Sequence, residues 1–309
     1  MYEDIGHGIT VIDTGYLRDR LAALYLLVEG DEAAIIETGT AHSAARVSEV
    51  LADKGLAPEQ IRFVIPTHVH LDHAGGASAM VKLCPNAELV VHPRGARHMI
   101  DPSKLVASAK EVYGEPAFEQ MYGEVHPIDE GRVRTVEDRE CLTLGDRVLE
   151  FRDTPGHARH HFCIYDAASN GWFTGDTFGV SYEDFLIDGH RFVMPTTTPV
   201  QFDPDALVDS IELLMSYDPE VAYLTHFGAL RIEPGHALGL VQQLGDYRDI
   251  AEHHADDGDR VAALERALMD YTLARLDALG ADDPAAFEPD LKMDIGLNAQ
   301  GLDVWLDRS

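Results

Sequence analysis

Six residues, His68-Val69-His70-Leu71-Asp72-His73, constrain this chain more than any other feature. They place three imidazoles and a carboxylate directly after the apolar run Phe63-Val64-Ile65 and just before Gly75-Gly76. A strand that ends here would deliver the run into a loop, and the paired glycines would open a helix behind it. Side chains alternate along extended backbone, so His68 and His70 share one side while the adjacent Asp72 and His73 diverge. One pair can therefore serve one metal ion and the other pair a second. Imidazole with carboxylate suits a borderline divalent ion, Zn²⁺ first, with iron or manganese as alternatives. A surface loop that is merely rich in histidine would not need this spacing.

Two metals need about eight protein bonds, and the rest of the chain offers more ligands. His157 closes Asp153-Thr154-Pro155-Gly156-His157, after the strand-like Arg147–Phe151 segment. Asp176 ends Gly171-Trp172-Phe173-Thr174-Gly175-Asp176, and His226 ends Val221-Ala222-Tyr223-Leu224-Thr225-His226. Each alone reads as an ordinary turn residue. The same layout at four strand ends reads as a metal centre.

With those segments together, the chain resembles the metallo-β-lactamase superfamily over roughly residues 8 to 230. The resemblance rests on His68-x-His70-x-Asp72-His73, followed in order by His157, Asp176 and His226. It implies that His68, His70 and His157 hold one metal, that Asp72, His73 and His226 hold the second, and that Asp176 bridges both. One departure stands out. Ile35-Ile36-Glu37-Thr38-Gly39 has Glu where many relatives have Asp. Glu37 then either supports the ligands or simply ends a strand.

The charge narrows the partners. With 54 acidic against 24 basic residues the net charge is −30. Such a surface repels phosphate backbones and anionic membranes, so neither nucleic acid nor membrane is expected as a partner. A small-molecule substrate is, and a homodimer stays open. Lysine is scarce among the basic residues, which fits a salt-adapted host or a GC-rich genome. No window of about 18 uncharged apolar residues marks a transmembrane helix. The start, Met1-Tyr2-Glu3-Asp4-Ile5, lacks the basic and apolar regions of a signal peptide. Cys84, Cys141 and Cys163 are scattered and read as small buried residues of a reducing cytoplasm.

The patterning gives short strands at 9–12, 21–28, 33–37, 61–65 and 88–92, with helices at 41–54 and 76–83 between them. Residues 93–122 read as irregular helix. Strands return at 141–144, 147–153, 160–165, 171–175 and 221–225, and a helix capped by Asp203 spans 204–216. Two similar halves of sheet and helix fit an α/β class, a four-layer αββα sandwich. Beyond His226 the spacing turns helical, through 236–280 and again at 295–307, with a linker near 281–284. The expected division is a catalytic domain over 1–235 and a helical extension over 236–309 packed on it. The extension shapes substrate access, mediates dimerisation or only covers sheet. Its scattered arginines do not suggest a strong glutathione or coenzyme A clamp.

The chemistry follows from the candidate ligands. Two cations can share a water and lower its pKa from about 15.7 toward 7. The resulting hydroxide would attack an acyl carbon or phosphorus, while one metal polarises the carbonyl oxygen. Asp72, beside that water, would orient it and pass a proton to the leaving group, and is the expected catalytic residue. No nucleophile elbow, phosphate loop or organic cofactor site is evident. Residues 177–200, with Phe178, Tyr182, Phe185, His190, Phe192 and Met194, follow the bridging Asp. They either border an acyl pocket or form ordinary core. His160 and His161 read as satisfied strand residues or as supports for the ligands. The reading is a zinc-type dinuclear hydrolase of a small ester, thioester or lactone. A mononuclear iron persulfide dioxygenase and a non-catalytic binding protein are the alternatives.

Overall fold

A computed structural model describes residues 2–183, 185–197 and 200–308. Asp184, Thr198 and Pro199, which fall in the loop expected at the pocket border, lie outside the described residues, as do Met1 and Ser309. In chain order the strands are β1 Tyr2–Asp4, β2 Ile9–Asp13, β3 Ala23–Glu29, β4 Glu32–Ile36, β5 Ile61–Ile65, β6 Glu88–Val91, β7 Val133–Thr135, β8 Cys141–Leu144, β9 Arg147–Asp153, β10 Phe162–Asp166, β11 Gly171–Gly175, β12 Leu186–Ile187, β13 His190–Arg191, β14 Val221–Leu224 and β15 Gly228–Arg231. The helices are α1 Ser43–Asp53, α2 Leu71–Ala74, α3 Ala77–Leu83, α4 Pro93–Ile100, α5 Ser103–Tyr113, α6 Glu115–Tyr122, α7 Pro204–Met215, α8 Pro234–His253, α9 Arg260–Ala278 and α10 Glu288–Leu306.

The chain forms two compact units. The first comprises Met1–Asp153, His160–Gly175 and Pro219–Arg231. It holds both large sheets, one in the order β1-β2-β3-β4-β5-β6-β7 and the other in the order β15-β14-β11-β10-β9-β8. The first sheet runs antiparallel through β4 and then parallel from β4 to β7. In the second, only β11 and β14 pair in parallel. Parallel neighbours need a crossover, and α1, α3 and the helices α4 to α6 supply those of the first sheet. The two sheets meet through Tyr25 on β3. Its ring lies edge-on to Phe173 of β11 and Tyr223 of β14, and its hydroxyl donates to the Leu224 carbonyl at 2.5 Å. The apolar face of the first sheet and its helices closes one core around Ile12, Leu24, Ile35, Val64 and Leu89. Arg147 and Asp166, both buried, link β9 to β10, with the guanidinium Nε donating to Asp166 Oδ1 at 2.8 Å.

The second unit comprises Thr154–Arg159, Asp176–Asp218 and Ile232–Ser309. Asp203 caps α7, accepting from the Ala206 N–H at 3.1 Å, as its side chain and Pro204 in the first turn dictate. α9 and α10 pack together with α8, burying Leu240, Leu244, Tyr247, Leu264, Leu268, Leu291 and Leu302. These helices brace the segment before α7. Gln243 of α8 donates to the Val193 carbonyl at 2.9 Å, and Asn298 of α10 donates to the Pro195 carbonyl at 3.0 Å.

Several local expectations differ from what forms. α10 begins at Glu288, seven residues before the expected 295, because Pro289 sits in its first turn, where a missing N–H costs nothing. His160 and His161 lie in a turn before β10, not on a strand. Cys84 and Cys163 are buried, and burial pushes the Cys84 thiol up to about 12, but Cys141 is exposed. Phe178, Tyr182, Phe185, Phe192 and Met194 are all buried core, whereas His190 is exposed. No helix among the described residues is long and apolar enough to cross a membrane.

Candidate metal centre

The loop after β5 is built by short-range and long-range restraints together. β5 ends at Ile65, and His70 precedes the single-turn helix α2 that carries Asp72 and His73. α2 then runs into Gly75 and Gly76. A Cβ on Gly76 would stand 2.4 Å from the Thr38 carbonyl oxygen and 2.5 Å from that of Thr40. Only glycine lets the loop dock this closely on the end of β4. Gly175 does the same at the end of β11, where a Cβ would lie 2.4 Å from Thr67 Oγ1 and 2.5 Å from His161 Nε2.

Five of the candidate ligands lie in the first unit. Asp72, His73 and His226 each offer one ligand atom, all within 4.8 Å of one another. Their orientation is set from behind. His73 Nδ1 lies 3.0 Å from Glu37 Oε1, and His226 Nδ1 lies 2.8 Å from the Leu21 carbonyl. A carbonyl oxygen can only accept, so His226 carries its proton on Nδ1. The carboxylate selects the same tautomer for His73. Both Nε2 lone pairs then face Asp72 Oδ2, at 3.5 Å and 3.4 Å. Such an arrangement of outer acceptors and inward lone pairs is how metal-binding imidazoles are held. His68 and His70 converge as well, Nε2 to Nδ1 at 2.9 Å, and His68 Nδ1 meets Thr67 Oγ1 at 3.2 Å. The donor set, imidazole nitrogens with a carboxylate oxygen, fits a divalent metal.

The remaining two candidate ligands lie in the second unit and also meet. His157 Nε2 is 3.4 Å from Asp176 Oδ2, and both residues are buried. His157 Nδ1 contacts Thr196 Oγ1 at 3.2 Å. The Thr196 segment is in turn fixed by Asn298, which accepts from the Thr197 N–H at 2.7 Å and whose backbone carbonyl accepts from Thr197 Oγ1 at 2.9 Å.

Glu37 thus supports a candidate ligand, His73, and does more than end a strand. It is 1% exposed, has a left-handed φ of 64°, and accepts from Thr67 N, Thr67 Oγ1 and Thr225 Oγ1 besides facing His73. His160 and His161 gather on the same loop. The His161 ring centroid lies 4.9 Å from that of His68, and the His160 centroid 5.7 Å from that of His70. Tyr16 and Tyr122 stack, with hydroxyls 3.1 Å apart. Burial, aided by the Asp72 charge, pushes the Tyr16 phenol well above its ordinary range. Sequence reasoning missed Leu21, Thr196 and Asn298. The Thr that precedes both His68 and His226 was the visible hint of the Glu37 network.

Comparison with known proteins agrees with this geometry. The family model of the metallo-β-lactamase superfamily matches residues 17–226, about two thirds of the chain. The chain belongs to that superfamily, and its two mixed sheets flanked by helices are the metallo-β-lactamase fold. Among relatives, a metallo-β-lactamase fold-containing protein of Sulfurisphaera tokodaii is 26% identical over 212 residues, covering 67% of this chain and 73% of its own. An acyl-coenzyme A thioesterase of Homo sapiens is 26% identical over 202 residues, covering 60% of this chain and 68% of its own. Among solved structures, an archaeal metallo-β-lactamase superfamily protein from Sulfolobus tokodaii aligns with a TM-score of 0.68 at 22% identity, over 96% of this chain and 98% of that one.

Proposed function

We propose that the protein is a dinuclear metal-dependent hydrolase of a small ester, thioester or lactone. The observation that carries this is the pair His73 and His226, each tied through Nδ1 to a fixed acceptor and each turning Nε2 to Asp72. In this reading His68, His70 and His157 would hold one ion and Asp72, His73 and His226 the other. Asp176 would contribute to both. The metals, zinc first and iron or manganese otherwise, would supply water activation and polarisation of a carbonyl oxygen. Asp72, 27% exposed in its side chain, is the ligand open enough to steer a water and move its proton toward a leaving group. Glu37 and the Leu21 carbonyl hold the imidazole tautomers throughout. Thr196 orients His157.

The acyl substrate class is supported by the thioesterase relative. The charge of −30 supports a small substrate over nucleic acid or an anionic membrane. We further propose that residues 236–309 work as an extension of a catalytic domain over 1–235, since α8 and α10 brace residues 193–197. A cytoplasmic setting with zinc is part of this reading.

The test is metal analysis of protein purified without added metal, coupled to assays on acyl p-nitrophenyl esters, acyl thioesters and lactones. About two zincs per chain, with hydrolysis lost on chelation and regained on zinc addition, is the expected outcome. One iron per chain with oxygen uptake would overturn it in favour of a dioxygenase. Full metal loading with no turnover of any of the three classes would favour a binding protein.

A further inference from the structure

The first unit holds a pair of phenols that the proposed reaction leaves unused. Tyr16 lies in the loop between β2 and β3, and Tyr122 ends α6. Tyr16 is 8% and Tyr122 5% exposed, and their hydroxyl oxygens are 3.1 Å apart. Two phenols carry two O–H hydrogens, and the bond between them uses one. No other hydrogen bond reaches either hydroxyl among the described residues. A spare donor in so dry a place is costly unless something accepts from it. Both tyrosines stand where the candidate ligands are held. The loop that carries Tyr16 also carries the Leu21 carbonyl, which accepts from His226 Nδ1 at 2.8 Å. The Tyr122 carbonyl accepts from the Ala41 N–H at 3.0 Å, and the Gly39 carbonyl, two residues earlier, accepts from the Gly76 N–H at 2.9 Å. Gly39 also pairs with Ala74, the neighbour of His73. The loops after β2 and β4 are close-packed, since a Cβ on Gly39 would stand 2.8 Å from Thr14 Cγ2. The Asp72 charge bears on both phenols, and for Tyr16 it is the chief influence after burial. Phe118 and Tyr113 hold the Tyr122 ring from beside it, with centroids at 5.3 Å and 6.2 Å. Hydroxyl hydrogens rotate, so Tyr122 can donate to Tyr16 and leave the spare hydrogen on Tyr16.

We propose that Tyr16 determines the specificity of this site: its hydroxyl, held by Tyr122, donates to a second oxygen on the acyl group, a hydroxyl or keto oxygen near the scissile carbonyl. The proposal rests on the reading of the site as a metal-dependent acyl hydrolase. In that reading the scissile carbonyl oxygen is already polarised by metal, so the phenol remains for another acceptor. A neutral O–H suits a neutral oxygen, whereas a second carboxylate would call for a cation. A plain alkyl chain leaves the donor buried and unpaired, which is how a site rejects an analogue that lacks the oxygen.

The metal-loaded protein is titrated calorimetrically with the product-like acids 3-hydroxybutyrate and butyrate, and the same titrations are run on Tyr16→Phe. The hydroxy acid is expected to bind about tenfold tighter than butyrate, as one buried hydrogen bond gives. In Tyr16→Phe the two acids should bind alike, while metal affinity, measured by chelator competition, stays as in the wild type. Equal binding of the two acids by the wild type overturns the proposal, as does absence of saturable binding by either. A preference that survives in Tyr16→Phe overturns it too, because another donor then reads the oxygen. A tenfold loss of metal affinity in the variant would make Tyr16 a support of the ligands and not a reader of the substrate. Should Tyr16→Phe fail to fold by circular dichroism, difference absorption of the wild type replaces it. The hydroxy acid should then perturb the tyrosine band more than butyrate does, and equal spectra overturn the proposal. No turnover is read, so a preference that depends on Tyr16 in a protein that hydrolyses nothing would sink the hydrolase reading alone.

Discussion

The loop from Thr67 to Gly76 and the segment from Asp176 to Thr197 both carry candidate ligands, but they are held by different means. The first is short, and its ligands are crowded within six residues. Its restraints come from the end of the neighbouring strand β4: Glu37, itself held by Thr225 after β14, takes Thr67 and His73, and Thr38 donates to the His73 carbonyl. The second draws its restraint from far along the chain. Asn298 on α10 grips residues 195 and 197, about a hundred positions away, and so sets Thr196 on His157. Strand ends in a sheet are among the most rigid positions in a fold, whereas a grip from a C-terminal helix lasts only while that helix stays docked. The comparison therefore predicts that the first region tolerates little chemical change, and that the second can be loosened by degrees.

The largest effect tests the role proposed for Asp176. Asp176→Ala is expected to abolish hydrolysis, to below about a thousandth of the wild-type rate, and to lower bound metal. Asp176 is buried against His157, and its carboxylate has no substitute within the second unit's pair. Near-normal turnover with full metal loading would sink the proposal that Asp176 is a metal ligand.

Next comes the support of the first region. Glu37 Oε1 takes Thr67 Oγ1, His73 and Thr225, while Oε2 takes the Thr67 N–H at 3.1 Å. In Glu37→Gln one oxygen becomes an NH₂ that must face one of these donors. Loss of such outer-sphere partners costs about 10- to 100-fold in metal affinity. Competition with a chelator of known affinity measures it. Unchanged affinity would show that the His73 orientation is fixed by packing alone.

Asn298→Ala should act more gently on the second region. It leaves the Thr197 N–H and the Pro195 carbonyl without their partner, costing about 1–3 kcal/mol. The denaturation midpoint should fall, and metal retention should weaken by less than Glu37→Gln causes. If stability falls while metal affinity and the pH profile stay fixed, Asn298 serves the fold and not His157.

The fold class was readable because alternating strands and helices leave a periodic apolar trace, and Ile61–Ile65 leading into His68 shows it plainly. The β12–β13 hairpin was not, since two-residue strands carry no period, and neither was β15, Gly228–Arg231, which follows too closely on β14. Candidate ligands could be read because only His, Asp, Glu and Cys serve, so residue type alone carries the signal. Their supports could not. The Leu21 group is a backbone carbonyl, which every residue has. Asn298 looks like any helix-surface polar residue until α10 is placed against residues 195–197. The departure at Glu37 was visible as a difference, and its meaning needed the 3.0 Å contact with His73.

The smallest effect concerns His236, in the first turn of α8. Burial holds its imidazole below the ordinary value of 6.5, with the Arg191 charge acting the same way and Glu233 opposing. Its Nδ1 accepts from the Glu233 N–H at 3.1 Å, a bond that protonation of that nitrogen removes. The folded state thus binds this proton less readily than the unfolded chain does. Above about pH 6.5 neither state carries it, and the group leaves stability unchanged. As the pH falls through 6.5 the unfolded chain takes the proton first, so stability is lost in that window until the folded pKa is reached. His236→Gln keeps an acceptor at the third helical position, where glutamine completes the same reciprocal cap. It has no proton to gain. Urea midpoints of the two proteins, measured at pH 7.5 and pH 5.5 with equal metal content, should therefore draw apart at the lower pH, with the variant losing less. Parallel shifts of both would show that the cap, and not the titration of its imidazole, is what α8 draws from this residue.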